Sequence, residues 1–379
     1  MALRGWPATS HLSPAADRDS PQNYVREFTD HGVRPDGRAL GAYRRVTVQP
    51  SVLSRNSRGS AMVTLDSGGD GDGDAPHGAR GPAAASGVTR AVAACTLLVG
   101  RPSAAAPSEG EVEVTVGASP MSGPRFDVMG RENSDNTTGN YAVANRRGAG
   151  GGGEEDDAGY ASVMERMGGV THPGHDSSDH APCPTDVREV ESWVRRVVRA
   201  SGYVDPSDLG IERGRSAWSV RVTVRILEHG GNVRDCALLA ACAALRDLRL
   251  PPVEVEGRGG SVRLAADGPG EGGTSGRGRR RIGGRGLSLG PLPTPTTVAL
   301  LPDPRGGDGR VMLVDPTHLE EDVSAGNLVT VVCDPAGRIV EMHKRGSTAS
   351  LTVDRIKAVV AIGTERARVM EGLMGKREG

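Results

Sequence analysis

The sequence predicts an α+β fold of two similar β-α halves, each a sheet covered by helix, with long insertions between the strands. Three observations point there. Residues 216–252 spell a strand, a glycine turn and a helix. Upstream of them, four short β-branched runs precede an amphipathic helix, and downstream, four more precede a terminal helix.

In the central stretch, Val220, Val222, Val224 and Ile226 alternate with Arg221, Thr223 and Arg225, so 218–227 is expected as a half-buried strand. Gly230 and Gly231 permit a turn, and Asn232 is the expected N-cap of a helix over 233–248. Val233, Ala237, Leu238, Ala241, Ala244, Leu245 and Leu248 keep helical spacing, and Ala240, Cys242 and Ala243 make the remaining surface small. Such a helix packs on more than one side. Pro251 and Pro252 end it.

The strands of the first half are expected near 43–48, 60–65, 88–99 and 111–116, in one sheet. Val187, Val190, Val194, Val197 and Val198 form the apolar stripe of a helix over 186–200 that should cover that sheet, with Asp186 serving its N-terminus. The second half begins at 287. Its strands are expected over 296–301, 311–314, 327–333 and 338–343, and its helix over 352–374. Residues 1–23 read as a disordered tail, 24–256 as the first domain with insertions at about 68–87 and 132–184, 257–286 as a Gly/Arg-rich insertion, and 287–379 as the second domain.

Composition narrows the function classes. There are 55 glycines, only 3% aromatic residues and 36% hydrophobic residues, so parts of the 379-residue chain contribute no core. A formal net charge of -1 excludes a molecule that grips nucleic acid by bulk charge; local patches would have to do it. The longest wholly apolar run, 237–245, is too short to span a bilayer, and no apolar segment follows basic residues at the N-terminus. Cys95, Cys183, Cys236, Cys242 and Cys333 are odd in number and dispersed, as buried thiols in a reducing compartment would be. A soluble intracellular protein is expected.

Several clusters invite chemistry. A strand running into a helix through glycines is where an anion could sit on free N–H groups, which singles out His229 to Arg234. Asp70, Asp72 and Asp74 imitate a calcium loop, but Ala75 and Gly81 occupy its glycine and glutamate positions. His172, His175, His180 and Cys183 match no closed zinc spacing. No metal or cofactor is expected. Arg125 beside Phe126 could offer charge and stacking to a single strand, or be a loop arginine beside a core ring. The run Arg277-Gly278-Arg279-Arg280-Arg281 could contact RNA, direct nuclear import, or be a solvated loop. Asp315, Glu320, Glu321 and Asp322 could be an acid/base or metal cluster.

Four segments, in order, resemble the RNase PH family: GVRPDGR at 32–38, the glycine-turn helix ending LLAACAALRDLRLP, VDPTHLEED followed by LVTVVCDPAGRIVEMHK, and the C-terminal helix. The chain is most similar to the RNase PH-type ring subunits of the eukaryotic RNA exosome. That resemblance implies an RNase PH fold, with a first half like ribosomal protein S5 domain 2 and a second half like RNase PH domain 2. It also implies assembly with five other such subunits into a hexameric ring carrying cap subunits and threading single-stranded RNA, in the nucleus, nucleolus and cytoplasm.

In phosphorolytic members the turn reads Asp-Gly-Gly-Thr/Ser-Arg, where the acid serves catalysis and the following segment holds phosphate. Here Gly230 stands at the acid, Asn232 at the second glycine, Val233 at the hydroxyl and Arg234 at the arginine. Glycine accepts no proton and binds no metal, so a non-catalytic scaffold is expected. Arg34, Arg38, Arg125, Arg131 and Arg234 are the candidates for RNA or ring contact. An active phosphate-dependent exoribonuclease and a stand-alone RNA-binding protein are the alternatives.

Overall fold

The computed structural model describes residues 21–53, 55, 57–68, 87–119, 122, 187–256, 262–265, 279–302, 310–346 and 351–375. Among them the first half is one twisted sheet in the order β1-β2-β3-β6-β4, with the short β5 also paired to β6. These strands are β1 (Arg45–Pro50), β2 (Gly59–Asp66), β3 (Thr89–Gly100), β4 (Glu111–Ala118), β5 (Gly210–Glu212) and β6 (Ser216–Glu228). β4 runs parallel to β6, while the other pairs are antiparallel. Alternation set the faces as expected: Val220, Val222, Val224 and Ile226 are buried, whereas Arg221 and Arg225 are exposed.

Two helices cover the sheet. The first, α2 (Val187–Ser201), packs on β4 with the expected valine stripe, to which Trp193 adds a buried ring. It also closes the sheet's edge. The N–H of Val116 donates to Glu191 Oε2 at 3.0 Å, and the Arg195 guanidinium donates to the Val114 carbonyl at 3.1 Å. Side chains of α2 thus satisfy backbone groups that a neighbouring strand would otherwise bind. Asp186, expected to serve this helix, lies outside the described residues.

The second helix, α3 (Val233–Asp247), is buried at every residue from Val233 to Leu245. It lies on β2, β3 and β6 and also touches the second half at β12 (Thr294–Pro302). That double contact explains its small, nearly all-apolar surface. The second sheet has the antiparallel order β13-β12-β14-β15, with β13 (Arg310–Val314), β14 (Leu328–Cys333) and β15 (Ile339–Lys344). The terminal helix α5 (Val353–Gly375) covers it. At Gly363 a Cβ would lie 2.8 Å from Val331 Cγ1, so glycine lets that helix approach the sheet.

Two segments depart from the sequence-based expectation. Residues 21–30, split between tail and first domain, form helix α1 (Pro21–Asp30), and Val25 enters a core with Ala299, Leu301, Leu313, Val323 and Leu328 of the second half. The N-terminal segment therefore straps the second half rather than opening the first. Within 257–286, β11 (Arg285–Gly286) pairs with β7 (Arg249–Leu250), and β9 (Val262–Leu264) and β10 (Arg279–Ile282) flank β8 (Val253–Glu256) in a three-stranded sheet. Its register sets Arg279 opposite Glu256 and Arg281 opposite Glu254. That pairing gives the arginine run a place in a strand that composition alone does not reveal.

Candidate functional site

The glycine turn after β6 is pressed between the halves. Gly231 has φ +103°, and a Cβ there would lie 2.4 Å from the Thr317 carbonyl carbon and the His318 nitrogen. Only glycine fits that approach. The His318 N–H closes it by donating to the Gly230 carbonyl at 2.9 Å. His318 opens the short helix α4 (His318–Val323), which brings the second half's carboxylates against the turn.

Asn232 stands at the N-cap position of α3 but does not cap it, contrary to expectation. Its backbone is left-handed at φ 53°, and its amide Nδ2 donates to Asp315 Oδ1 at 2.7 Å and Asp235 Oδ2 at 2.8 Å. Two buried carboxylates draw the amide away from the helix end. The anion position there is filled by the chain itself, since the Asn232 N–H donates to Glu321 Oε1 at 2.8 Å.

The carboxylate cluster at 315–322 is matched by arginines from the N-terminal segment. Arg34 is fully buried; it pairs with Glu320 through two nitrogens and donates to the carbonyls of Val314 at 2.6 Å and Asp315 at 3.0 Å. Arg38 donates to Asp36 at 2.7 Å and to the Ala42 carbonyl at 3.1 Å, and lies 3.7 Å from Asp315. Burial, and then Arg34, lower its pKa. Both side chains, offered by the sequence as RNA or ring contacts, tie the N-terminal turn to the second half.

Arg44 completes the network. Its guanidinium donates to Asp315 at 2.8 and 3.1 Å, to Thr89 Oγ1 at 3.0 Å and to the Gly231 carbonyl at 3.1 Å. Burial alone would raise the Asp315 carboxyl, yet Arg44, Arg38 and Asn232 outweigh it and hold that carboxyl far below the usual range. Asp235 has no such cation. Burial pushes it up to about 6 against the opposing hydrogen bonds from Thr297 and Asn232.

Arg234 is committed as well. It pairs with Glu189 of α2 and lies 5.8 Å from the Trp193 ring centroid. Beside it, Asn232, Thr297, Glu321, Thr330 and Arg345 line a cavity of about 10 Å³. That is room for one water and not for a phosphate. Arg125, Arg131, Asp70 to Asp74 and the His172–Cys183 cluster lie outside the described residues. Cys95, Cys236, Cys242 and Cys333 are buried free thiols, and burial pushes those of Cys95 and Cys236 up to about 12.

Sequence reasoning singled out neither Arg44, Asp235 nor Glu189. Asp235 carried a signal, as a lone carboxylate among small apolar residues of a helix expected to be buried. Arg44 and Glu189 carried none, because their partners are remote in sequence.

The surroundings of this turn can be set beside known proteins. The model for the 3' exoribonuclease family, domain 1, matches residues 161–251, and that for domain 2 matches 292–366. Over 349 residues the chain is 23% identical to the exosome complex component Rrp42 of Methanocella arvoryzae, covering 92% of this chain and 93% of that one. With RRP45A of Arabidopsis thaliana, also an exosome complex component, identity is 25% over 323 residues, 85% of this chain and 75% of that one. The solved Archaeoglobus fulgidus exosome with RNA bound to the active site has a chain that superposes with a TM-score of 0.55 at 22% identity, covering 93% of this chain and 97% of its own. An archaeal exosome core gives 0.55 at 21%, covering 94% and 96%. The fold is the RNase PH fold, its two domains in order.

Proposed function

We propose that this chain, with its two RNase PH-family domains, is a ring subunit of an RNA exosome that scaffolds the ring and lines the RNA route without cutting RNA. The observation carrying this reading is the N-terminus of α3. Its anion position holds the Glu321 carboxylate, the adjoining cavity is about 10 Å³, and Gly230 supplies no acid. Inorganic phosphate could bind there only by displacing the chain's own side chain.

Support for the ring comes from relatives over nearly the whole chain that bear exosome component names. Within the ring, the sequence from Asn232 into the helix, the GNLVTVV strand and the MHKRG segment resemble ribosomal RNA-processing protein 43, whereas the relatives are named Rrp42 and RRP45A. Cap subunits as partners, and a nuclear, nucleolar and cytoplasmic location, belong to the same proposal. Arg125 and Arg131 are its RNA-facing candidates.

Tagged chain purified from its own cells, with mass spectrometry of what accompanies it and a phosphorolysis assay on the isolated subunit, tests both halves of the reading. Other RNase PH-type subunits in the eluate and intact RNA in phosphate support it. A chain that purifies alone and releases nucleoside diphosphates overturns it. The carboxylates of Asp315, Glu320 and Glu321, which the fold brings to the turn, would then be the catalytic candidates.

A further inference from the structure

At the end of the first sheet away from the glycine turn, β3 runs on past its neighbour. β2 begins at Gly59, opposite Cys95, so Thr96 to Gly100 pair with β6 alone. The Cys95 carbonyl accepts the Arg58 N–H at 3.4 Å on the β2 side, and strand alternation turns the N–H and C=O groups of Leu97 and Val99 the same way. None of those four groups has a hydrogen-bond partner among the described residues.

Natural sheets blunt such edges, and this one does so elsewhere. Along β4, Glu191 and Arg195 take up outward backbone groups. The overhang of β3 has no such guard. Thr96 to Gly100 include neither a charge nor a proline, and Leu98 and Val99 are 46% and 45% exposed. Those two side chains lie on opposite faces of the strand, so an added strand would find an apolar neighbour on each face.

Charge selects the occupant. Arg58 stands where β2 leaves the edge and Arg101 follows Gly100; both are exposed, and neither side chain is bonded or paired among the described residues. Asp247, at the foot of the 51–58 loop, is taken up by Ser51 Oγ at 2.7 Å and the Ser60 N–H at 2.9 Å. A second copy laid antiparallel on the overhang would set Arg101 of each chain toward Arg58 of the other, like charge against like. An extended segment with acids flanking its apolar residues meets no such conflict.

We propose that Thr96 to Gly100 form a docking edge on which an extended segment of another protein, apolar at its centre and acidic at both ends, adds a strand to the first sheet. The edge is independent of ring membership and of turnover, so the isolated full chain serves for the test.

The probe is a labelled nonapeptide, Val-Thr-Val-Thr-Val between pairs of glutamates. Fluorescence anisotropy should show saturable binding, and hydrogen exchange read by mass spectrometry should slow over 96–100 when the peptide is bound. Val99→Pro removes one outward N–H while leaving the bonds to β6, so it should keep the wild-type circular dichroism and bind the peptide roughly fivefold more weakly or worse. A surface variant gives an independent reading. Arg58→Glu with Arg101→Glu should weaken the acid-flanked peptide about tenfold and bind its lysine-flanked counterpart instead.

Absence of saturable binding overturns the proposal, as does unchanged exchange over 96–100 at saturation. Equal binding of the lysine-flanked peptide by wild type removes the charge argument and the occupant with it. A wild-type dimer in sedimentation that Val99→Pro abolishes would assign the edge to a second copy, against the partner proposed.

Discussion

Arg44 and Asp315, far apart in sequence, make a buried bidentate ion pair. The guanidinium spans both carboxylate oxygens at 2.8 and 3.1 Å, and the Arg44 backbone N–H adds a third bond at 2.9 Å. The same guanidinium reaches Thr89 and the Gly231 carbonyl. One side chain thus ties the start of the first sheet, the glycine turn and the second half.

Replacing Arg44 by alanine should cost about 3–5 kcal/mol, because it leaves a carboxylate buried without its cation. Arg44→Lys should recover only part of that, since an ammonium cannot span both oxygens. Urea unfolding of the three proteins measures it, and a loss below about 1 kcal/mol for the alanine variant would mean that Arg38 substitutes for Arg44.

Arg34 and Glu320 form a second buried pair, with Glu320 also accepting from the Thr317 N–H at 2.7 Å. Removing either partner strands the other. In a double-mutant cycle of Arg34→Met and Glu320→Leu, the double variant should be more stable than the two single losses sum to, by about 1–3 kcal/mol. Additive losses would show that the pair's charges do not interact across the turn.

These pairs mark the limit of what was legible in the sequence. Strands and helices of both halves were visible because apolar period survives around the insertions, and the valine stripe and the all-small helix place the core directly. The burial of Arg34 and Arg44 was not, because arginine is seldom buried, and a buried one looks in sequence like any solvated one until its carboxylate is located. Those carboxylates stand more than 250 residues later, at Asp315 and Glu320. Charge composition also hid β10, whose arginines read as a solvated run until pairing with β8 places them in a strand. At the turn, Gly230 and Arg234 were read as positions in a motif; Glu189, which pairs with Arg234, and Glu321, which accepts from the Asn232 N–H, come from other elements.

Asp235 predicts a pH signature. The folded state holds its proton more tightly than the unfolded chain, at about 6 against roughly 3.9. It therefore adds stability that is complete below the lower value and is lost as pH rises through the upper one. Asp315 moves the opposite way, and its contribution is lost only in stronger acid, while the comparison with Asp235→Asn cancels the other titrating groups, His343 among them. From pH 7 down to 5, wild type should gain about 1–2 kcal/mol relative to Asp235→Asn. Parallel stability curves in urea would show that the carboxyl titrates normally.

A carboxylate can be introduced at Gly230. If the missing side chain at Gly230 were all that separated this chain from a phosphorolytic enzyme, Gly230→Asp would restore phosphate-dependent release of nucleoside diphosphates. The geometry predicts otherwise. Gly230 is buried, its carbonyl is held by His318 at 2.9 Å, the α3 terminus carries Glu321, and Arg234 is paired with Glu189. A carboxylate there adds a buried charge beside Asp315 and Glu321 without opening the 10 Å³ cavity. Gly230→Asp should thus destabilise the chain by about 2 kcal/mol or more and leave diphosphate release at background. Activity appearing in that single variant would refute the closed-site account.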